Sequence, residues 1–247
     1  MPGEIAENVA TAVRLIGEAS ARGAALVVFP ELFLCCYHLT ALREEPGRCD
    51  MTADDARLDP IRDACRTGSI AAVVSGSIRV DGDRTISALV IDAGGEVVAQ
   101  YDKQHLDREE RALFRAGLEG CSVEIGGWKL ALGICYDATF PEHARAGALA
   151  GAHAYLCPSS HRERSVVHAA RAFENTMYVA LSNHLGEADG RSLCGHSSIY
   201  DPEGRLLADA GPSEEGLAIA DFDPNVLAEV RARSPMLEEV LASEQAV

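Results

Sequence analysis

The sequence predicts an α/β protein built in layers, and three observations carry that expectation. Amphipathic helices alternate with short apolar strands through the first two thirds of the 247-residue chain, the strands are continuously hydrophobic as buried strands are, and hairpins take over only in the last third. No linker or low-complexity tract divides the chain. Its 47% hydrophobic content is ample for one sizeable core, so residues 1–247 read as a single domain.

The elements follow in order. Ile5 to Arg22 sets Ile5, Val9, Val13 and Ile16 on one face, a helix packed on a sheet and ended by Gly23. Ala25 to Phe29 is a buried strand closed by Pro30-Glu31. Asp55 to Gly68 reads as a helix and Ile70 to Ile78 as a strand, then Ser87 to Ile91 and Val97 to Tyr101 pair across a turn at Asp92-Ala-Gly-Gly95. Leu130 to Ile134 is too short for a buried helix and reads as a strand ending on Cys135. Gly133 lets that chain turn tightly beside the thiol, and Pro141 starts an Ala-rich helix running to about Gly151. Ala154 to Cys157 is a strand, Val166 to Asn175 a helix and Met177 to Ser182 a strand. Gly195 to Tyr200 and Arg205 to Ala208 flank Asp201-Pro-Glu-Gly204, a type I turn. Leu217 to Phe222 reads as a last strand, and the tail from Asn225 as a helix with a loose end.

Charge and cysteine content narrow the function. A formal charge of -16 argues against nucleic acid or an anionic membrane as partner, since both need clustered cations. No apolar run approaches the length of a membrane span and no signal peptide is evident, so the eight cysteines read as free thiols of a reduced, cytoplasmic protein. None has C-x-x-C spacing, and no metal site is expected. Lys103 and Lys129 are the only lysines, so a lysine in this chain asks for a reason.

Glu31, Lys103 and Cys135 each fall just past the end of an expected strand, where ligands of α/β sheets bind. Their chemistry is complementary. A thiol is mostly protonated at neutral pH, so a carboxylate can take its proton as general base while an ammonium favours the thiolate and a later oxyanion. Taken singly each has a plainer reading: a buried structural cysteine, a capping or surface glutamate, a solvated lysine.

The residues around these three carry a family resemblance. Phe29-Pro-Glu-Leu32, Tyr101-Asp-Lys-Gln-His-Leu106 and Gly133-Ile-Cys-Tyr-Asp137 with Phe140-Pro-Glu142 resemble the three signature blocks of the nitrilase, or carbon-nitrogen hydrolase, superfamily. The likeness continues through Arg171-Ala-Phe-Glu-Asn175, Ser182-Asn183 and Gly195 to Gly204, and so spans nearly the whole chain. It implies a four-layer αββα sandwich that assembles as a homodimer or higher homo-oligomer. It also implies a cofactor-free thioester mechanism on non-peptide C-N bonds. Glu31 would be the base, Cys135 the nucleophile and Lys103 the oxyanion stabiliser, helped by the Tyr136 backbone N-H. Glu110, in Glu110-Arg-Ala-Leu-Phe114 before Gly117, matches a second family glutamate that positions the substrate nitrogen or the attacking water.

Departures from the pattern limit the substrate. The family's first strand has no counterpart before the opening helix, and Cys36 stands where Gly is frequent. Thr139 occupies the position, four residues past the nucleophile, where relatives acting on carboxylate-bearing substrates often place Arg. Thr cannot clamp a carboxylate as Arg does, unless Arg145, Arg162 or Arg164 substitutes. Cys135-Tyr-Asp137 favours a small amide over a nitrile, with an N-carbamoyl amine or a nitrile as alternatives. The loop Pro158 to Arg164 carries no decodable signature for the substrate. Two rival readings are a Cys-His hydrolase using His143 or His168, and an inactive homologue serving as an interaction module.

Overall fold

A computed structural model describes residues 3–244. Helix α1 (Ile5–Ala21) buries Ile5, Val9, Ala12, Leu15, Ile16 and Ala19 on one face, as the periodicity demands. Strand β1 (Leu26–Val28) leads through two short helices, α2 (Leu39–Glu44) and α3 (Pro46–Cys49), to β2 (Asp50–Met51). The expected helix from Asp55 is a 3-10 turn at Ala56–Leu58 followed by α4 (Asp59–Gly68). Asp55 forces the distinction by accepting the Arg57 N-H at 2.9 Å.

The first sheet has the order β1, β3 (Ala71–Val80), β4 (Asp83–Ile91), β5 (Val97–Asp102), with β2 beside the far end of β3. β1 runs parallel to β3, and β3, β4 and β5 form an antiparallel meander. The second sheet begins with β6 (Cys121–Ile125) and β7 (Trp128–Leu132), continues after α5 (Pro141–Leu149) with β8 (Ala154–Ser159), and after α6 (Val167–Asn175) with β9 (Tyr178–Asn183). A separate hairpin, β10 (Leu185–Ala188) with β11 (Arg191–Cys194), precedes β12 (Ser198–Tyr200) and β13 (Leu206–Asp209), giving the order β13, β12, β9, β8, β7, β6.

Side-chain alternation sorts the layers. Leu130, Leu132, Ala154, Leu156 and Tyr178 point into the core shared with the first sheet, whereas Ala131, Tyr155, Cys157 and Val179 join Ala144, Ala148 and Ala172 of α5 and α6 in a second core. Helices α1 and α4 pack outside the first sheet. The αββα sandwich follows, with β7, β8 and β9 parallel at its centre.

Besides the 3-10 turn and the short, unanticipated α2, α3 and β2, four further features differ from expectation. β6 is an unanticipated strand: Cys121, Val123 and Ile125 alternate up to Gly126-Gly127, whose φ values of 57° and 81° form a two-residue hairpin turn. The β10-β11 hairpin above the site is also unanticipated. The tail continues past α7 (Pro224–Arg233) into α8 (Met236–Glu244) where a loose end is expected; residues 245–247 lie outside the described residues.

Leu217 to Phe222 is the fourth: it is not a strand. Its backbone makes no hydrogen bond among the described residues, and it is held by side chains, with Phe222 stacked on Tyr178 at 4.2 Å and edge-on to Trp128 at 5.5 Å. The segment lines a cleft of about 380 Å³ opposite β1, which pairs with β3 on one edge alone.

Candidate active site

The strands deliver the site residues to one end of the sandwich. Past β1, Glu31 donates its N-H to the Ser159 carbonyl of β8 at 3.3 Å, which ties the two sheets together. Past β5, Lys103 is anchored through its N-H to Ile86 at 2.8 Å and through its carbonyl to the Gly117 N-H at 2.8 Å. Gly117 admits no side chain there, since a β-carbon would lie 2.1 Å from the Asp102 carbonyl oxygen.

Past β7 the chain stays extended through Ile134, then turns at Cys135, whose φ is 47°. The left-handed residue is thus the cysteine itself, not the expected Gly133. A non-glycine residue held there stores local strain at the thiol-bearing position.

Asp137 holds this turn. One carboxylate oxygen accepts the Ile134 N-H at 2.9 Å and the Tyr101 hydroxyl at 2.7 Å, while the other accepts the His105 N-H at 2.8 Å. It therefore joins the Cys135 turn to the loop that carries Lys103. His143 closes the network, with Nε2 at 2.7 Å from the Tyr101 hydroxyl and Nδ1 at 3.0 Å from that of Tyr155. His105, Asp137 and His143 lie close enough to hold a metal ion, yet their ligating atoms already hydrogen-bond within this network.

Lys103 is fully buried between two carboxylates. Its Nζ lies 2.6 Å from Glu31 Oε1 and 2.8 and 2.7 Å from the two oxygens of Glu110. Burial alone would depress its pKa, but Glu31 and Glu110 outweigh it and hold the ammonium well above the ordinary lysine value. Burial, then the Glu31 charge, push Glu110 up. Burial and Glu31 also raise the Cys135 thiol well above the ordinary cysteine value, against Lys103 and the Ser160 backbone N-H, which favour the thiolate.

The structure brings Glu31, Lys103, Glu110 and Cys135 together, and places Tyr136 and Thr139 on the wall of the same cavity of about 500 Å³. Glu109, the neighbour of Glu110, is exposed and pairs with Arg191. Neither His143 nor His168 bonds Cys135: the nitrogens of His143 are engaged by tyrosines, and both nitrogens of buried His168 lack partners among the described residues.

Sequence reasoning missed three contributors. The Ser160 hydroxyl donates to Glu31 Oε2 at 2.7 Å, and the Tyr37 hydroxyl to Glu110 Oε1 at 2.7 Å. Arg191 of β11 lies over the Tyr37 ring, 5.0 Å from its centroid. Ser160 was findable by the same strand-end logic as Cys135. Tyr37 follows Cys36, and both have left-handed φ, 50° and 57°, a conformation that glycine adopts most readily.

Known proteins resemble this chain over nearly its whole length. The profile of a family described as carbon-nitrogen hydrolase matches residues 1–232. The 2-oxoglutaramate amidase of Bacillus subtilis is 32% identical, covering 96% of this chain and 93% of its own. A hydrolase from the pqqF 5' region of Pseudomonas protegens is 35% identical over 96% of this chain and 85% of its own. Among solved structures, an amidase from Nesterenkonia sp. AN1, with acrylamide added at its active-site cysteine, superposes with a TM-score of 0.82 at 31% identity, over 94% of this chain and 93% of that one.

Proposed function

Because this chain belongs to the carbon-nitrogen hydrolase family, and its relatives include several amidases, we propose that it releases ammonia from a small amide through a thioester on Cys135. The observation that carries the reading is the buried Lys103 ammonium gripped by Glu31 and Glu110 beside the nucleophile turn.

The electrostatics assign roles. With its thiol raised, Cys135 holds no standing thiolate at neutral pH and needs a base during attack. Glu31 takes the thiol proton as sulfur bonds to the amide carbon. Lys103, charged throughout, is unsuited to proton transfer and stabilises the oxyanion together with the Tyr136 N-H, near the start of its helical turn, where such groups lack an intrahelical acceptor. Glu31 then gives the proton to the nitrogen and ammonia departs. Water enters, loses a proton to Glu31 and bonds to the thioester carbon; the C-S bond then breaks, Glu31 returns the proton to sulfur and the acid leaves, with Glu110 orienting the leaving nitrogen or the water.

Eight free thiols support a reducing, cytoplasmic setting for one hydrolase domain spanning the chain. Exposed Phe173 and Val166, on and beside α6, support assembly as a homo-oligomer, which light scattering would measure. No described helix is long and apolar enough to cross a membrane.

Ammonia release from small amides tests the reading. Cys135→Ala should lose about 10³-fold or more in kcat/KM. Glu110→Gln should lose about 10²-fold. Wild-type hydrolysis of no amide, carbamoyl amine or nitrile would instead favour the interaction module, and full activity in Cys135→Ala would overturn the nucleophile assignment.

A further inference from the structure

The pocket that holds Cys135 also has a mouth, and its charges bear on the rest of the substrate. We propose that the substrate amide carries a carboxylate at its far end, bound between Arg162 and Arg191; this rests on the amidase reading above. Of the three arginines that could replace the clamp missing at Thr139, the structure selects one. Arg145 is committed to the Glu174 carbonyl at 2.8 Å, and Arg164 to Asp209 at 3.0 Å. Arg162 lines the Cys135 cavity and has no ion-pair partner among the described residues.

Arg191, on the β10-β11 hairpin, supplies a second cation to the lining of the same cavity. Its guanidinium is laid over Tyr37 and paired through one nitrogen with Glu109, so it is held in place before substrate arrives. A guanidinium has five N-H donors, and this engagement leaves several free. One fixed and one free guanidinium facing a cavity suit a planar carboxylate, which each can bind bidentately.

Charge balance points the same way. Glu31 and Glu110 already flank Lys103, so the ammonium makes no strong net attraction for a distant anion. In a chain of net charge -16, an anionic substrate needs local cations to enter. Asp107 and Glu163 also line the mouth and are exposed, as Arg162 is, whereas Arg191 is half-buried, so water screens its attraction for an anion less than it screens their repulsion. A neutral alkyl tail would meet mostly polar walls and leave Arg162 unused.

Succinamate and butyramide make the test, because they share chain length and differ in carrying a carboxylate or a methyl group. Wild type should favour succinamate by about tenfold or more in kcat/KM. That ratio should fall toward one in Arg162→Ala and in Arg191→Ala, through KM for succinamate, and recover in part in Arg162→Lys. Butyramide hydrolysed as well as succinamate, or a ratio that survives both alanine variants, would overturn the carboxylate proposal and leave the amidase reading intact. Hydrolysis of neither, with no amide of any kind turned over, would overturn the amidase reading itself.

Discussion

Gly133 is seated against the phenol of Tyr155: a β-carbon at position 133 would fall 1.8 Å from the phenol oxygen and 2.4 Å from the ring carbon that bears it. The glycine is needed for space, since its φ is not left-handed. Tyr155 in turn lies at 3.0 Å from His143, within the network that fixes the Cys135 turn. Gly133→Ala should therefore cost about 1–3 kcal/mol and lower Tm by roughly 2–10 °C. The double variant with Tyr155→Phe should recover part of the loss, because the nearest clash is with the hydroxyl. Thermal unfolding of both would show it.

Asp137 should matter for geometry rather than chemistry. Asp137→Asn keeps the size but places an amide where the carboxylate accepts the Ile134 and His105 N-H groups and the Tyr101 hydroxyl. Hydrogen bonds to a buried charge contribute about 1.5–3 kcal/mol each, so the variant should lose stability by a few kcal/mol. Its kcat should fall with KM little changed, since the turn aims the thiol while the mouth residues bind. Steady-state kinetics beside a urea unfolding curve separates the two effects.

Most of the architecture was legible because periodicity reports burial. The apolar strands and the face of α1 announce themselves, and strand ends mark Glu31, Lys103 and Cys135. Arg191 was not legible: it reaches the site from a hairpin whose strands are short and mostly exposed, with no apolar alternation to mark them. Leu217 to Phe222 misled for the opposite reason. Its composition is that of a strand, but a ladder needs a neighbouring edge, and composition cannot say whether one is within reach.

Acid should destabilise this protein through buried histidines. Burial holds His168 down to about 3, and His161 and His184 down to about 4, from the ordinary 6.5. In the unfolded chain each takes a proton near 6.5, so the unfolded state binds more protons between there and the folded values. Stability is then fully present above about 6.5 and is lost as pH falls toward 4, at up to about 1.4 kcal/mol per pH unit for each histidine. His168→Leu removes two unpartnered buried nitrogens and should flatten this slope while leaving stability at pH 7.5 equal or higher. Denaturant midpoints at pH 7.5, 6 and 5 for both proteins measure it; equal slopes would defeat the assignment to His168.

The two walls of the cleft beside β1 should differ from the rest of the core in hydrogen exchange. In a parallel ladder, alternate residues bond to one neighbour. The Phe29 N-H bonds to Val73 at 2.8 Å and the Ala25 carbonyl accepts from Ala71 at 3.0 Å, so the backbone groups of Leu26 and Val28 face the cleft. Across it, the amides of Leu217 to Phe222 have no backbone acceptor among the described residues. Exchange at an amide requires its hydrogen bond to open, so these positions should exchange by orders of magnitude faster than Ala72 to Val74 of β3, which is paired on both edges. Proteolytic-fragment mass spectrometry resolves the segments. Slow exchange at Leu26, Val28 and Leu217 to Phe222 together would mean that in solution both walls find backbone partners, and a concentration dependence of that protection would identify the partner as a second copy of the chain.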